Sequence, residues 1–339
     1  MTETEVREPA ERSLVQRMVA ASTFWIALVL VVLCVLFSAL RPDAFPTLFT
    51  LQTLLIEASV LLVLSVGMTF VIITAGIDLS VGSVLVFAGV VAATLMESLS
   101  GGDASDAGPG VVLAGLVAAV VGGGVWGLLN GLLVAMARIP PLIVTLGSFG
   151  AALGAAQLIT DGVDVRTVPK ALRDGLGFGQ TLQVPHMVAL AAVVTLAGAW
   201  LLHTTRFGRR TFAVGSNAEA ARRAGIPVRG HLVRVYTGVG LLAGLAGFMS
   251  LAYFGTTTIS GHSTDNLNAI AAVVLGGTSL FGGVGTVFGT VIGVFIPAVL
   301  TKGFVIVGVQ QFWQPVAISA VLVAAVWFDQ VRRRSRDRG

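Results

Sequence analysis

Apolar runs about as long as a bilayer is thick, roughly 20 residues, recur along this chain and bound what it can fold into. Ten can be drawn, at about 22–40, 51–74, 79–96, 110–136, 140–160, 186–203, 232–254, 266–281, 284–301 and 309–328. Only 11% of the 339 residues are charged, whereas 55% are hydrophobic. A soluble domain carries roughly 25% charged residues, so lipid is the solvent that this composition fits. The expected fold class is all-α, a polytopic inner-membrane protein with about ten transmembrane helices. The third, eighth and ninth runs are short or interrupted by glycine, which predicts half-helices among them.

Twenty of the 21 Lys and Arg residues fall in the gaps between runs, so orientation in a membrane explains them better than nucleic acid does. With the N-terminus in the cytoplasm and strict alternation, 16 lie inside and 5 outside, which the positive-inside rule favours. Both termini are then cytoplasmic. One transmembrane domain is expected over 22–328, between tails 1–21 and 329–339, with a basic inner loop at 204–231 and a long outer loop at 161–185. The first run exceeds a signal peptide's apolar core of about 7–15 residues and reads as a retained span. Cys34 within it is expected to face the core or lipid.

Catalytic chemistry is missing from the sequence. His186, His203, His231 and His262 are not at metal-ligand spacing. Lys170 and Lys302 are the only lysines, and neither sits in a phosphate-binding loop. The expectation is no catalytic residue, no metal and no cofactor in this chain. Few ionisable groups interrupt the runs, chiefly Glu57, Asp78 and Glu97, which argues against ion coupling. The glycines Gly123, Gly127 and Gly131, Gly240 and Gly244, and Gly285, Gly289 and Gly293 are four apart, a spacing that lets helices approach closely in lipid.

Three segments carry more than span formation. Residues 74–83, Thr-Ala-Gly-Ile-Asp-Leu-Ser-Val-Gly-Ser, put an acid and hydroxyls between apolar runs. They read either as a tight turn in which Asp78 or Ser80 caps the next helix, or as a broken helix beside a translocation path. In the inner loop, Ser216 and Glu219 have the spacing of a capping box, and Gly225 and Pro227 supply stops. About two helical turns are expected there, outside the membrane. So short a helix is marginal alone, so lipid headgroups or a partner must hold it. The third segment, 266–304, places Thr278 and Ser279 beside Gly276 and Gly277.

Together these segments resemble the permeases of ribose-type bacterial ABC monosaccharide importers. The matching stretches are GIDLSVGS at 76–83, AVGSNAEAARRAGI at 213–226 and AIAAVVLGGTSLFGG at 269–283, with VTLGSFG at 144–150 and ITDG at 159–162. The order is kept from about residue 50 to 328. The departures are Asn266 and Asn268 where acids are common in the family, and Leu153 where it often has arginine.

The resemblance implies a permease homodimer, a cytoplasmic ABC ATPase pair that binds the ATP and magnesium, and an external solute-binding protein. It implies that Gly215, Ser216, Asn217, Ala218, Glu219, Ala220, Arg222, Arg223, Gly225 and Ile226 form the coupling helix that rests on the ATPase. On this reading the translocation path lies at the dimer axis, with Asp78, Ser80, Ser83, Asn130, Thr278 and Ser279 as its polar residues. The alternative is an ion-coupled secondary carrier, which needs no docking helix and more intramembrane charge. A membrane enzyme on lipid-linked sugars would need clustered carboxylates. Pentoses, hexoses, polyols and cyclitols all remain open as the solute.

Overall fold

The computed structural model describes residues 22–262 and 264–310, then 312, 313, 315–317, 319, 320 and 323, with side chains from residue 26 onward. The two expected tails, and half of the tenth run at 309–328, lie outside the described residues. The described chain is mostly helical. Its helices are α1 (Ser22–Leu40), α2 (Leu48–Ile73), α3 (Val81–Leu99), α4 (Pro109–Ala135), α5 (Pro141–Thr160), α6 (His186–Thr204), α7 (Arg206–Ser216), α8 (Ala218–Arg223), α9 (Val228–Phe254), α10 (Asp265–Leu275) and α11 (Val287–Val307). Two-residue strands β1 (Gln180–Thr181) and β2 (Val184–Pro185) pair as a hairpin before α6.

Among the described residues, seven helices are long and apolar enough to cross a membrane: α2, α3, α4, α5, α6, α9 and α11. Shorter apolar stretches are Ile26–Leu40 within α1 and the whole of α10. Burial ranks them. Of the most apolar window, 83% is buried in α2 and 72% in α9, against 28% in α5 and 22% in α6. Thus α2 and α9 are the inner helices. The outward faces of α4, α5 and α6 present side chains such as Leu129, Ile143 and Leu196, as a surface in lipid requires.

The α4–α9 contact is built by glycine. A Cβ on Gly127 would fall on Tyr236 O and stand 2.9 Å from Gly240 Cα, and one on Gly123 would stand 2.7 Å from Gly244 N. The two backbones therefore touch directly, as the four-residue spacing predicts. Gly289 and Gly293 make the same kind of contact from α11 with Gly276 and Ala272 of α10 and its end. Gly285 lies outside any helix, against Thr278 and Ile73.

Several boundaries differ from expectation. The third run is a full helix of 19 residues, not a half-helix. The eighth stops early: α10 is 11 residues long and ends at Gly276. The ninth is one continuous helix that tolerates Pro297. Glu57 pairs with Lys302 at 2.9 Å, tying α2 to α11.

Linkers gather at the two ends of the bundle. At one end, Asp164 accepts from Thr257 Oγ1 (2.9 Å) and Ile259 N (3.0 Å). There Lys170 also pairs with Asp106 at 2.9 Å, and the pairing raises the ammonium's pKa. The opposite end holds the segments 74–80, 205–227 and 276–286, whose contacts define the site below.

Candidate functional site

The 74–80 linker leaves α2 at Ile73 and enters α3 at Val81; the Thr74, Ala75 and Gly76 amides bond back onto the last turn of α2, and residues 77–79 are non-helical. Non-helical backbone in an apolar setting must be satisfied by neighbouring protein, and side chains from three helices do this. Thr145 of α5 donates to Ile77 O (3.3 Å), and Asn266 of α10 donates through Nδ2 to Leu79 O (3.0 Å). Asn130 of α4 donates through Nδ2 to Ser80 Oγ at 2.9 Å.

These bonds continue as a chain with one direction. Ser148 Oγ of α5 donates to Asn130 Oδ1 in a short hydrogen bond. Asn130 donates to Ser80 Oγ, and Ser80 Oγ donates to Asp78 Oδ1 at 2.6 Å. Ser80 N donates to the same oxygen at 2.8 Å. Every donor points toward the Asp78 carboxyl, so its Oδ1 is satisfied by hydrogen bonds. Asp78 is only 2% exposed, and among the described residues no Lys, Arg or His pairs with it.

The linker is thus more than a plain turn. Ser80 holds the N-cap position of α3, yet its side chain makes no capping bond; it serves Asp78 instead. Ser83 Oγ folds back onto Ser80 O at 2.9 Å. In the 276–286 linker, Ser279 Oγ accepts from Phe281 N at 3.1 Å, while Thr278 Oγ1 is buried without a partner. Asp78, Ser80, Ser83 and Asn130 come together. Thr278 and Ser279 stand apart from them, on the other linker. All six are buried. Two apolar surface crevices, one between α3 and α4 and one among α1, α2 and α11, are lined by other residues.

The 204–231 loop is a pair of helices meeting at a knuckle. Thr205 opens α7 by accepting from Phe207 N and Gly208 N. Gly208, Thr211, Val214 and Gly215 form its buried face. The expected capping box is absent because Ser216 is the last residue of α7. Asn217 in extended geometry (φ −162°, ψ 101°) is the true cap of α8, accepting from Ala220 N at 2.9 Å. Glu219 does not reach back. It is held by Arg222 (2.7 Å) and Arg223 (3.1 Å), whose hydrogen bonds keep its carboxyl below the usual range. Ala221 alone is buried in α8; its other side chains face outward.

This knuckle sits on both linkers at once. Gly283 N donates to Ile73 O at 2.9 Å, joining the 276–286 linker to the end of α2. A Cβ on Gly215 would fall on Ile73 O and stand 2.8 Å from Gly283 N. Gly283, at φ +73°, packs on Ser216. The residues that sequence reasoning missed are Thr145, Ser148, Ile73, Gly283 and Tyr236. Thr145 and Ser148 lie within the quoted VTLGSFG stretch, where their polarity amid apolar neighbours was the available signal.

Comparison with known proteins agrees with this architecture. The chain is 38% identical over 307 residues, 90% of its length and 92% of the relative's, to the ribose import permease protein RbsC of Escherichia coli strain K12. It is 33% identical over 305 residues, 89% and 90% of the two lengths, to the D-allose transport system permease protein AlsC of that strain. With the L-arabinose ABC transporter permease protein AraH of Azospirillum brasilense it shares 35% over 311 residues, 92% and 88% of the two lengths. No solved structure matches the chain. Residues 50–326 match the model of one permease family over most of the chain's length, and the chain belongs to that family, described as the permease component of branched-chain amino acid transport systems.

Proposed function

We propose that this chain is the membrane-spanning permease subunit of an ATP-binding cassette importer that carries a monosaccharide or related polyol across the bacterial inner membrane. The family description names amino acids, whereas the relatives that align over nearly their whole length are named for ribose, allose and arabinose. Full-length relatives are the closer guide to a solute. The chain acts as a homodimer with about ten spans per copy, some broken at glycine. Both termini and the 204–231 loop face the cytoplasm, and a binding protein delivers the solute outside. ATP and magnesium bind to the partner ATPase, and this chain contributes no catalytic group.

One observation carries the reading: the Gly215–Ser216 knuckle is seated on Ile73 and Gly283, the backbone bridge between the two linkers. Residues 215–226, with α8 presented outward, are the coupling element. ATP-driven closure of the ATPase pushes α8. The knuckle passes that displacement to the ends of α2 and α10, and so to Asp78, Ser80, Ser83, Asn130, Thr278 and Ser279 along the path. Because the contact is backbone on backbone, no side-chain rotamer absorbs the motion.

The test co-expresses the chain with an ATPase and a binding protein of a monosaccharide importer from the same genome. The three should assemble, and radiolabelled D-ribose, D-allose or L-arabinose should enter proteoliposomes only with ATP inside the ATPase compartment. Gly215→Val should leave the permease inserted but uncouple hydrolysis from uptake, since its side chain lands on Ile73 O. Uptake driven by a proton or sodium gradient without ATP would establish the secondary-carrier alternative instead.

A further inference from the structure

The region around the site contains a buried donor without an acceptor. Tyr236 of α9 is 0% exposed and its Oη has no hydrogen-bond partner. Buried tyrosine hydroxyls ordinarily find one. The side chain is not free to swing away, because the Tyr236 backbone and Cβ rest against Gly127 and Gly131 of α4. It reaches into the 74–80 linker, where a Cβ on Gly76 would stand 2.7 Å from Oη.

Two residues further along that linker is Asp78. Both hydrogen bonds found for its carboxylate go to Oδ1, and the group is near enough to act electrostatically on the phenol. The backbone between knuckle and carboxylate is strained. Ala75 has φ 60°, in the left-handed region that non-glycine residues avoid. Such a conformation persists only where surroundings enforce it, and it is characteristic of switch segments. Here the enforcing neighbour is the 276–286 linker: a Cβ on Gly282 would stand 2.9 Å from Ala75 Cβ. That linker is the one on which Gly215 sits.

We infer that Tyr236 is a positioning residue of the transport cycle: in the opposite conformation the linker turns at Gly76, and Asp78 Oδ2 accepts the hydrogen bond that Tyr236 Oη lacks here. The inference rests on the importer reading, which supplies the two conformations. Displacement of the knuckle frees the 276–286 linker from Ala75, and Ala75 relaxes. The carboxylate then moves toward the phenol, drawing Ser80 and, through Asn130, Ser148 with it. No covalent bond changes, and the proton stays on the phenol. Tyr236 and Asp78 thereby hold the second state as the Ser80 bonds hold the first.

The chain has two tyrosines, so Tyr253→Phe leaves Tyr236 as its only phenol. Ring-labelled tyrosine is incorporated into this variant alone, which is then assembled with unlabelled ATPase in lipid. Infrared difference spectra are taken nucleotide-free and with ATP locked on a hydrolysis-deficient ATPase. The phenol C–O band should shift between a non-donating phenol and a donor to carboxylate, and Asp78→Asn should abolish the carboxylate-type band. In otherwise native permease, Tyr236→Phe should slow ATP-driven sugar uptake about tenfold, the lower end for one hydrogen bond to a charged group, without lowering the thermal midpoint of the nucleotide-free protein. A band at the same position in both states, or wild-type uptake by Tyr236→Phe, overturns the inference alone. A chain that never binds the ATPase overturns the importer reading and this inference with it.

Discussion

Asn130 needs both halves of its amide. Its Nδ2 donates to Ser80 Oγ and its Oδ1 accepts from Ser148, and only Asn or Gln offers a donor and an acceptor in this way. Asn130→Ala strands the buried Ser148 hydroxyl, removes one of the two bonds of Ser80 Oγ, and should destabilise the purified protein by about 1–3 kcal/mol. Asn130→Asp should do worse despite its closer shape. It replaces the donor by a second acceptor and brings another negative charge toward Asp78 without a cation. Thermal unfolding in detergent ranks the three proteins, and an Asn130→Asp variant as stable as wild type would refute the directional chain. The sequence revealed Asp78, Ser80 and Asn130 as polar interruptions of apolar runs. It could not reveal their connection, because Ser80 and Asn130 are 50 residues apart and Asn130 and Ser148 are 18 apart. Tyr236 was invisible for the opposite reason, since a tyrosine in an apolar span reads as ordinary core.

At the scale of elements, α8 is too short to stand alone, and the new position of its cap changes how it should be broken. Asn217 holds the Ala220 amide, so Ala220→Pro removes a capping bond but no bond of the helix interior. Arg222→Pro falls one residue beyond Ala221, whose amide closes the first turn on Asn217 O at 2.9 Å. It should unwind α8 at a cost of about 3 kcal/mol. Asn217→Ala should weaken the helix by about 1 kcal/mol. Arg222→Ala serves as the control for the lost Glu219 pair, which is exposed and contributes little. Membrane abundance should be normal in all three, with ATPase co-purification falling in the order Arg222→Ala, Asn217→Ala, Arg222→Pro. Full ATPase retention by Arg222→Pro would show that α8 is not the docking element. The presence of α8 was legible from the acid, alanine and arginine pattern. Its partner α7 was not, because its buried face is made of Gly208, Thr211, Val214 and Gly215, too small and too polar to register as an apolar stripe among arginines.

For the whole molecule, the apolar runs located the seven long helices to within a few residues, because length and hydropathy are local properties that lipid enforces. The endings of the broken segments were not local. The halt of α10 at Gly276 depends on α11, whose Gly289 and Gly293 bring their backbone against it. Orientation is the remaining global property, and it is testable. Strict alternation from a cytoplasmic N-terminus puts 16 of 21 basic residues inside, and on that arrangement a reporter active only outside the cytoplasm should be silent after residue 339 and active at residue 170. Activity at the C-terminal fusion would contradict an even number of spans.

The backbone contact between α4 and α9 also divides the labour of the molecule. Where Gly123, Gly127, Gly240 and Gly244 bring main chain onto main chain, neither helix can slide without atoms overlapping, and no side chain can change rotamer to make room. The pair is a stator. Compliance has to reside outside this pair, in the 74–80 linker that Asn130 fastens to it by a hydrogen bond and in the turn after Gly276, against both of which the α7–α8 knuckle bears. On the proposed mechanism, a force arriving at α8 is therefore not dissipated across the bundle. It works against a fixed frame, as a lever needs a fulcrum.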